Sequence, residues 1–388
     1  MSQTFQFAFN RQLFFGPGML GRPELWLPGG LRRIGLLGAP SFLSSPRGEE
    51  FLRNLKERGL EVLTEPVHGE PTPESVNRIT EIWSSRNPGL ILGIGGGSVL
   101  DTGKAVAAMV PVRGQVEDYL EGVGTRTPGG ETLPYVAVPT TSGTGSEATM
   151  NAVVTRIGPG GFKKSLRHRN YIPQAAVLDP ELMVGTPWEI TAACGMDAFS
   201  QLLESFVSLK AGPLSDALAW EGLIRFLENF DLLMGNPGDV TLRGEIALAA
   251  YYSGLTLANA GLGVVHGIAG PLGGFYPIPH GAACGTLLHE AFRMTVEKLE
   301  GLEESDPCRE KMARLGSFLE GQTLGLAEGC SRLLEKMEEW TVRYALPRLS
   351  LFGFRQEDIP EVAGASDNKN HPVEFSARDM QDLLKRRL

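Results

Sequence analysis

Cysteine is scarce in this chain of 388 residues, which contains only Cys194, Cys284, Cys308 and Cys330. The four are widely spaced and form no CxxC pair, so the sequence contains no disulfide framework. The N-terminal segment also lacks a basic stretch followed by an apolar one, the pattern of a secretory signal. We therefore expect a reducing environment and a cytoplasmic location.

Long apolar runs and an excess of positive charge are also missing. No stretch reaches the roughly 18 uninterrupted apolar residues of a membrane-spanning helix. The chain has 36 Lys and Arg against 45 Asp and Glu, a formal net charge of −9. Such an acidic chain is poorly suited to nucleic acids or anionic membranes. The GxSxG and HExxH motifs are absent, and no cysteine lies in a recognisable nucleophile signature.

The first half of the chain alternates short apolar runs with amphipathic segments. This order predicts a parallel sheet covered by helices on both faces. Thr72 and Pro73 predict a helix start with proline at the first helical position. The predicted strands are 33–38, 60–67, 89–94 and 134–139, and the predicted helices are 51–58, 73–86 and 98–109.

The second half is predicted to be almost entirely helical. Thr186 to Glu189 is interpreted as a capping box with proline at the first helical position. The boundary is placed between 179 and 187, which divides the chain into residues 1–183 and 184–388. The helices predicted beyond it are 196–209, 214–230, 240–259, 282–300, 308–319, 328–345 and 376–387.

Glycine is abundant, with 49 residues, and several of them lie in the segment from Gly93 to Lys104. This segment follows a buried strand and opens a helix, so its backbone N–H groups could hold a phosphate. A tight structural turn is the alternative. The segment from Pro139 to Glu147 mixes glycine with small hydroxyl residues after another strand. Two such loops at strand ends are typical of a dinucleotide site.

The helical half contains a candidate metal site. Asp197 and Gln201 are four residues apart and share one helical face. His266 and His280 lie in an apolar, glycine-rich stretch, where a histidine is otherwise an ordinary core residue. Asp and His are ligands of divalent metals. A basic run from Lys163 to Arg169 is either a solvated hairpin face or a source of charge for a cofactor or substrate phosphate.

Several segments together resemble the iron-containing (group III) alcohol dehydrogenase family. They are FGPG at 15–18, GIGGGSVLDTGKA, VPTTSGTGSE, LDPELM at 178–183, CGMDAFSQLLESFVS and NAGLGVVHGIAGPLGGFYPIPHG. The resemblance implies a Rossmann-like cofactor domain, a helical domain and an active site in the cleft between them. It also implies NAD or NADP as cofactor and an assembly of two or more copies. The implied cofactor contacts are Gly95, Gly96, Gly97, Ser98, Asp101, Thr140, Thr141, Thr144 and Lys163, with Lys164 as an alternative to Lys163.

The chain departs from the family pattern at three positions. The family binds its metal with one Asp and three His, and Gln201 replaces one of these histidines beside Asp197, His266 and His280. A Gln oxygen is a weaker donor than imidazole, so we expect reduced affinity, another metal or none. Gly270 removes a second histidine and opens space. Ala39 replaces an Asp that binds the ribose in NAD-preferring relatives, so we expect NADPH to be accepted, with Ser41 nearby.

The predicted reaction is hydride transfer between NAD(P)H and an aldehyde or ketone. A metal would stabilise the alkoxide; without one, His266 and His280 would act as the catalytic hydrogen-bond donors, with Gln201 as a further one. The alternatives are a metal-independent reductase of an anionic carbonyl compound such as maleylacetate, a non-catalytic nucleotide-binding relative, and a lyase of the dehydroquinate-synthase type.

Overall fold

The structure is a computed structural model that describes residues 5–112, 114–158, 160–300 and 306–388. Its N-terminal half contains a parallel sheet, and its C-terminal half is helical, as the sequence predicted. The strands are β1 (Gln12–Phe15), β2 (Arg33–Gly38), β3 (Glu61–Pro66), β4 (Ile91–Gly95), β5 (Tyr135–Pro139), β6 (Asn151–Arg156), β7 (Phe162–Arg167) and β8 (Ala175–Leu178).

Six strands form one parallel sheet in the order β1-β8-β5-β4-β2-β3. The chain runs from β2 outward to β3 and then returns to the other side of β2 to form β4. The strand order therefore reverses between β2 and β4. In open α/β sheets, ligands bind in the crevice outside the carboxyl ends of the strands at such a reversal. The loop that starts at Gly95 leaves the sheet there.

The strands are apolar because both faces of the sheet are covered. Leu36 and Leu92 belong to the core on one face, whereas Leu37 and Ile91 belong to the core on the other. Successive side chains of a strand point to opposite faces, so a doubly covered strand is continuously apolar. The helices of this half are α1 (Pro23–Trp26), α2 (Pro40–Leu43), α3 (Pro46–Glu57), α4 (Pro73–Arg86) and α5 (Gly97–Val112).

The helical half packs around an aromatic core. Trp340 meets the rings of Phe199 and Phe226 edge to face, at centroid distances of 5.0 and 5.5 Å. The helices are α6 (Trp188–Val207), α7 (Pro213–Gly235), α8 (Val240–Ala260), α9 (Val264–Phe275), α10 (His280–Leu299), α11 (Pro307–Glu320), α12 (Leu326–Arg343), α13 (Ile359–Ala365) and α14 (Ala377–Arg386).

Several local predictions differ from the structure. The capping box at Thr186 is wrong: Pro187 is the N-cap of α6 and no side chain caps it. The start of α4 is confirmed, since Thr72 accepts a hydrogen bond from the N–H of Ser75. Helix α3 begins at Pro46, earlier than predicted, because Ser45 caps it. The short strands β1 and β8 and helix α9 were not predicted.

The basic run lies on β7, which pairs with β6 in an antiparallel hairpin. The sheet's last strand ends at Leu178, and the first helix of the C-terminal half begins at Trp188. A boundary at 183/184 stays a prediction. Among the residues described, no single helix is long and apolar enough to cross a membrane. Helices α8 and α9 taken together have the length and composition of a membrane span, but they meet at an angle of 99°.

The two halves meet at a contact between glycine backbones. Gly145, in the loop after β5, has φ of +60° and lies against Gly254 of α8. A Cβ atom on Gly254 would stand 2.2 Å from the carbonyl oxygen of Gly145. This contact places the loop after β5 directly on α8.

We predict that Gly254→Ala lowers the free energy of unfolding by about 1–3 kcal/mol, because the added methyl group overpacks a contact made by backbone atoms. Denaturant unfolding measures it. Gly364→Ala, also on a helix, is the control: a Cβ there meets no atom within 4 Å, so it should not lower stability and should raise it by up to about 1 kcal/mol. Equal stability of the two variants would contradict the prediction.

Candidate active site

A cleft of about 530 Å³ lies between the carboxyl edge of the sheet and the helical half. Its walls come from α5, the loop after β5, the β6–β7 hairpin and helices α6, α8, α9 and α10. Of the residues predicted from the sequence, those that line it are Gly97, Ser98, Asp101, Thr144, Lys163, Gln201, His266 and His280. Ser41 is exposed on α2, beyond β2 and outside this cleft.

The glycine loop and the hydroxyl-rich loop lie against each other at the cleft's edge. A Cβ on Gly97 would stand 2.7 Å from Thr144, and one on Gly96 would stand 3.3 Å from Thr141. Helix α5 begins at Gly97, and the first N–H groups of a helix have no partner within it. A phosphate can therefore approach the backbone here, where the helix dipole also favours negative charge.

A buried lysine joins these loops. Lys104 is 1% exposed, and its Nζ donates hydrogen bonds to the carbonyl oxygens of Ser146 and Asn151, at 2.8 and 2.7 Å, and to Thr149 Oγ1 at 2.8 Å. Asp101 lies 3.7 Å away and accepts hydrogen bonds from the Ser146 hydroxyl and the backbone N–H of Val153. Burial lowers the pKa of Lys104 to about 8. The carboxylate of Asp101 is therefore used structurally, and its contact with a cofactor stays a prediction.

Four side chains with metal-ligand atoms meet on the helical side of the cleft. They are Asp197, His266, His280 and Cys284, and these atoms all lie within 4.8 Å of one another. Asp197 Oδ1 is 3.3 Å from His266 Nε2 and 3.8 Å from His280 Nε2. Three helices contribute: α6, α9 and α10. The site thus brings together three of the four predicted ligands and adds Cys284.

Gln201, the fourth predicted ligand, is buried in the same cleft one turn after Asp197 on α6. Its Oε1 lies 2.9 Å from the hydroxyl of Ser253 on α8, whose single proton also has the carbonyl oxygen of Ala250 at 2.7 Å. The role of Gln201 as a ligand stays a prediction.

A carboxylate orients the central histidine. Glu204 Oε2 lies 2.6 Å from His266 Nδ1, and Glu204 Oε1 accepts the backbone N–H of Val265 at 2.7 Å. A proton held on Nδ1 leaves Nε2 free to bind a metal, the usual arrangement of metal-ligating histidines. Although burial acts in the opposite direction, the interaction with His266 lowers the pKa of Glu204.

The pKa values follow from burial and from these neighbours. Burial lowers the pKa of His280 to about 4 and raises the pKa of the Cys284 thiol to about 12. Burial also acts to lower the pKa of His266, but Cys284, Glu204 and Asp197 outweigh it and raise that pKa well above 6.5. A metal that binds His266 Nε2 would therefore displace a proton from it. His280 is therefore a neutral imidazole, the form that binds metals.

The basic run contributes little free charge to the cleft. Lys163 Nζ lies 2.6 Å from Glu70 Oε1, and Arg167 Nε lies 3.2 Å from Glu121 Oε1. Both acids line the cleft with their basic partners. Since each positive charge has a carboxylate beside it, neither Lys163 nor Arg167 is an unpaired cation at the site.

Sequence reasoning missed Cys284, Glu204 and Glu70. The sequence spacing could have indicated two of them. Cys284 is four residues after His280, and Glu204 is seven residues after Asp197, so each shares a helical face with a predicted ligand. No sequence pattern indicates Glu70, because it lies in a loop that reaches the site only through the fold.

The doubly covered parallel sheet ends in a glycine turn that suits a phosphate, and it faces a helical half with an Asp–His–His cluster. This combination is typical of a dinucleotide-dependent protein with a metal-capable site. The model of the iron-containing alcohol dehydrogenase family matches residues 10–180, and the model of that family's C-terminal part matches residues 191–388. The chain therefore belongs to the iron-containing alcohol dehydrogenase family.

Two curated relatives and a solved structure give the scale of the similarity. The chain is 30% identical to the NAD-dependent methanol dehydrogenase of Bacillus methanolicus over 92% of this chain and 94% of that protein. It is 31% identical to long-chain-alcohol dehydrogenase 1 of Geobacillus thermodenitrificans over 88% of this chain and 83% of that protein. It superposes on a 1,3-propanediol oxidoreductase with a TM-score of 0.87 and 26% identity, covering both chains completely.

We predict that Lys104→Met lowers the free energy of unfolding by about 2–4 kcal/mol, because the carbonyl oxygens of Ser146 and Asn151 lose their donor and the partly buried Asp101 loses its partner. Lys164→Met on the exposed part of β7 is the control and should stay within about 0.5 kcal/mol of the wild type. Denaturant unfolding of both variants measures the effect. A loss below 1 kcal/mol at position 104 would show that the ammonium group does not hold the loops.

Proposed function

We propose that the protein transfers a hydride reversibly between an alcohol and a nicotinamide dinucleotide, with the aldehyde or ketone as product. The observation that carries this is the placement of the Asp197–His266–His280 cluster in the same cleft as the phosphate-binding start of α5. Family membership and the NAD-dependent methanol dehydrogenase relative support it.

The chain's own residues fit both groups that this chemistry requires. The backbone at Gly96, Gly97 and Ser98 would hold the pyrophosphate, and a bound dinucleotide would supply or accept the hydride. Asp197, His266 and His280 would hold a divalent metal, which when bound polarises the substrate oxygen. This donor set of one carboxylate and two imidazoles is suited to such an ion.

The residues around these ligands position and enclose the reactants. Glu204 keeps His266 in one orientation and tautomer, so that Nε2 faces Asp197 and His280. Gly270 of α9 lines the cleft with no atom within 4 Å of a Cβ built on it, which leaves room for the substrate. Holding donor and acceptor carbons in one enclosed cleft supplies the proximity effect.

We favour an uncharged alcohol or aldehyde over an anionic carbonyl compound because the two curated relatives named above are alcohol dehydrogenases. The anionic alternative rests on the basic run, but Lys163 and Arg167 are neutralised by Glu70 and Glu121. We also infer that the protein is cytoplasmic and forms a homodimer or larger assembly. Supporting the assembly, the edge strand β1 exposes 40% of Leu13 and 41% of Phe15.

The test is turnover combined with metal analysis of protein purified without chelator. We expect about one metal ion per chain, consumption of reduced cofactor equal to the alcohol formed, and loss of turnover in EDTA. His280→Asn should lose the metal, whereas His289→Asn, on the same helix but outside the cleft, should retain it. Cofactor binding without turnover of any alcohol or aldehyde would favour a non-catalytic protein, and product without net cofactor consumption would favour a lyase.

We further propose that NADPH is accepted. Ala39, at the end of β2 beside the strand-order reversal, offers no carboxylate to the ribose, and Ser41 follows it on α2. A carboxylate at this point binds the ribose hydroxyls of NAD and repels the 2′-phosphate of NADP.

We predict that Ala39→Asp raises the preference for NADH over NADPH, measured as the ratio of kcat/KM values, by about tenfold, or about 1.4 kcal/mol. Ala39→Ser is the control, because it adds a polar group without a charge and should leave the ratio within a factor of about two to three. A wild-type enzyme that already favours NADH strongly would overturn the proposal.

A further inference from the structure

We propose that Cys284 is the fourth protein ligand of the metal centre, in place of the imidazole that is missing at Gln201, and that it makes the centre selective for zinc. The inference rests on the proposed function for the presence of a metal, but the identity of the fourth ligand is separate from it. The donor set becomes one carboxylate, two imidazoles and one thiolate.

The position of Cys284 on α10 brings its sulfur to the other ligands. His280 is the first residue of α10 and Cys284 lies four residues later, so both side chains project from the same face. Cys284 Sγ lies 3.8 Å from His280 Nε2 and 3.5 Å from His266 Nε2. The residue is fully buried, so the sulfur is held among these groups by the fold.

The spacing of the four atoms is close to that of a zinc site. With Zn–N and Zn–O distances of about 2.0–2.1 Å and Zn–S of about 2.3 Å, ligand atoms of a tetrahedron are about 3.3 Å apart for N and O pairs and about 3.6 Å apart for S and N pairs. Two N and O pairs are at 3.3 and 3.8 Å, and the two S and N pairs are at 3.5 and 3.8 Å. The two remaining pairs lie within 4.8 Å, so the four atoms must draw together by up to about an ångström to hold zinc. Zinc can expand to five ligands, which leaves a position for the substrate oxygen.

Gln201 is the weaker candidate for the fourth position. A neutral amide oxygen binds a divalent ion less strongly than a thiolate. The sulfur of Cys284 also lies directly beside the two histidine ligands, whereas the amide oxygen of Gln201 lies 2.9 Å from the hydroxyl of Ser253.

The charge and softness of the donor atoms determine which metal ion the site prefers. The carboxylate of Asp197 and the thiolate of Cys284 together balance the two positive charges of the ion, which suits a buried site because an uncompensated charge there is costly. Binding exchanges the thiol proton for the metal, and the proton leaves to solvent. Thiolate ligands suit zinc, and iron(II) stands low in the divalent affinity series.

The first experiment uses the wild-type protein loaded with zinc and needs no variant. X-ray absorption at the zinc edge should show one sulfur at about 2.3 Å and nitrogen or oxygen ligands at about 2.0–2.1 Å. Zinc-loaded protein with only nitrogen and oxygen neighbours would overturn the proposal and leave the proposed function intact. Failure to bind any metal would overturn both the proposal and the metal-assisted reaction.

The second experiment substitutes cobalt and compares two cysteine variants. The wild type should show a thiolate-to-cobalt charge-transfer band in the near ultraviolet, which Cys284→Ser loses. Cys330→Ser, in the helical half and in hydrogen-bond contact with Arg309 rather than with the cleft, is the control and should keep the band. Chelator competition should show that Cys284→Ser weakens zinc binding by about tenfold or more, the range reached even by residues that only support ligands.

A double variant separates loss of a ligand from loss of folding. Gln201→His in the Cys284→Ser background restores the third imidazole and should recover most of the lost metal affinity without the charge-transfer band. If Cys284→Ser binds zinc as tightly as Cys330→Ser and keeps the band, Cys284 is not a ligand.

Discussion

The buried ammonium group of Lys104 is the interaction on which the geometry of the cleft depends. It joins α5 to the loop after β5 and to β6 through the carbonyl oxygens of Ser146 and Asn151. Asp101, which is 3.7 Å away and partly buried, balances its charge, so this ion pair fixes the glycine turn against the hydroxyl-rich loop. An uncompensated charge at this depth would be costly, and for that reason the two residues act as a unit.

This loop in turn positions the helical half. Gly145, next to Ser146, lies against Gly254 of α8, and the preceding residue Ser253 holds Gln201 of α6. A contact that admits no side chain leaves little freedom in how far α8 stands from the sheet. The cofactor turn and the metal-capable cluster are therefore connected by consecutive short contacts, although they belong to different halves of the chain.

The sequence predicted the parts of the fold that follow from periodicity. Doubly buried strands such as β4 and β5 are continuous apolar runs, and the long helices repeat apolar residues every three or four positions. Strands β1 and β8 are four residues each, too short to show a period, and β1 has an exposed edge. At the site, Asp197, His266 and His280 were identified because their residue types suit a metal. Glu70 reaches the cleft only through packing, which no local pattern records.

Two departures from the family pattern, at Gln201 and Gly270, change the same cleft. Replacement of an imidazole by Gln201 weakens one side of the metal-capable cluster, while a sulfur one turn beyond His280 lies close to the remaining ligands. On the other side, Gly270 leaves space open toward the substrate region. Because the cations of the hairpin are paired with Glu70 and Glu121, the opened space carries no unpaired charge from them. The Glu204–His266 pair holds the metal-capable cluster in one orientation, so the space opened at Gly270 widens the cleft without loosening that cluster.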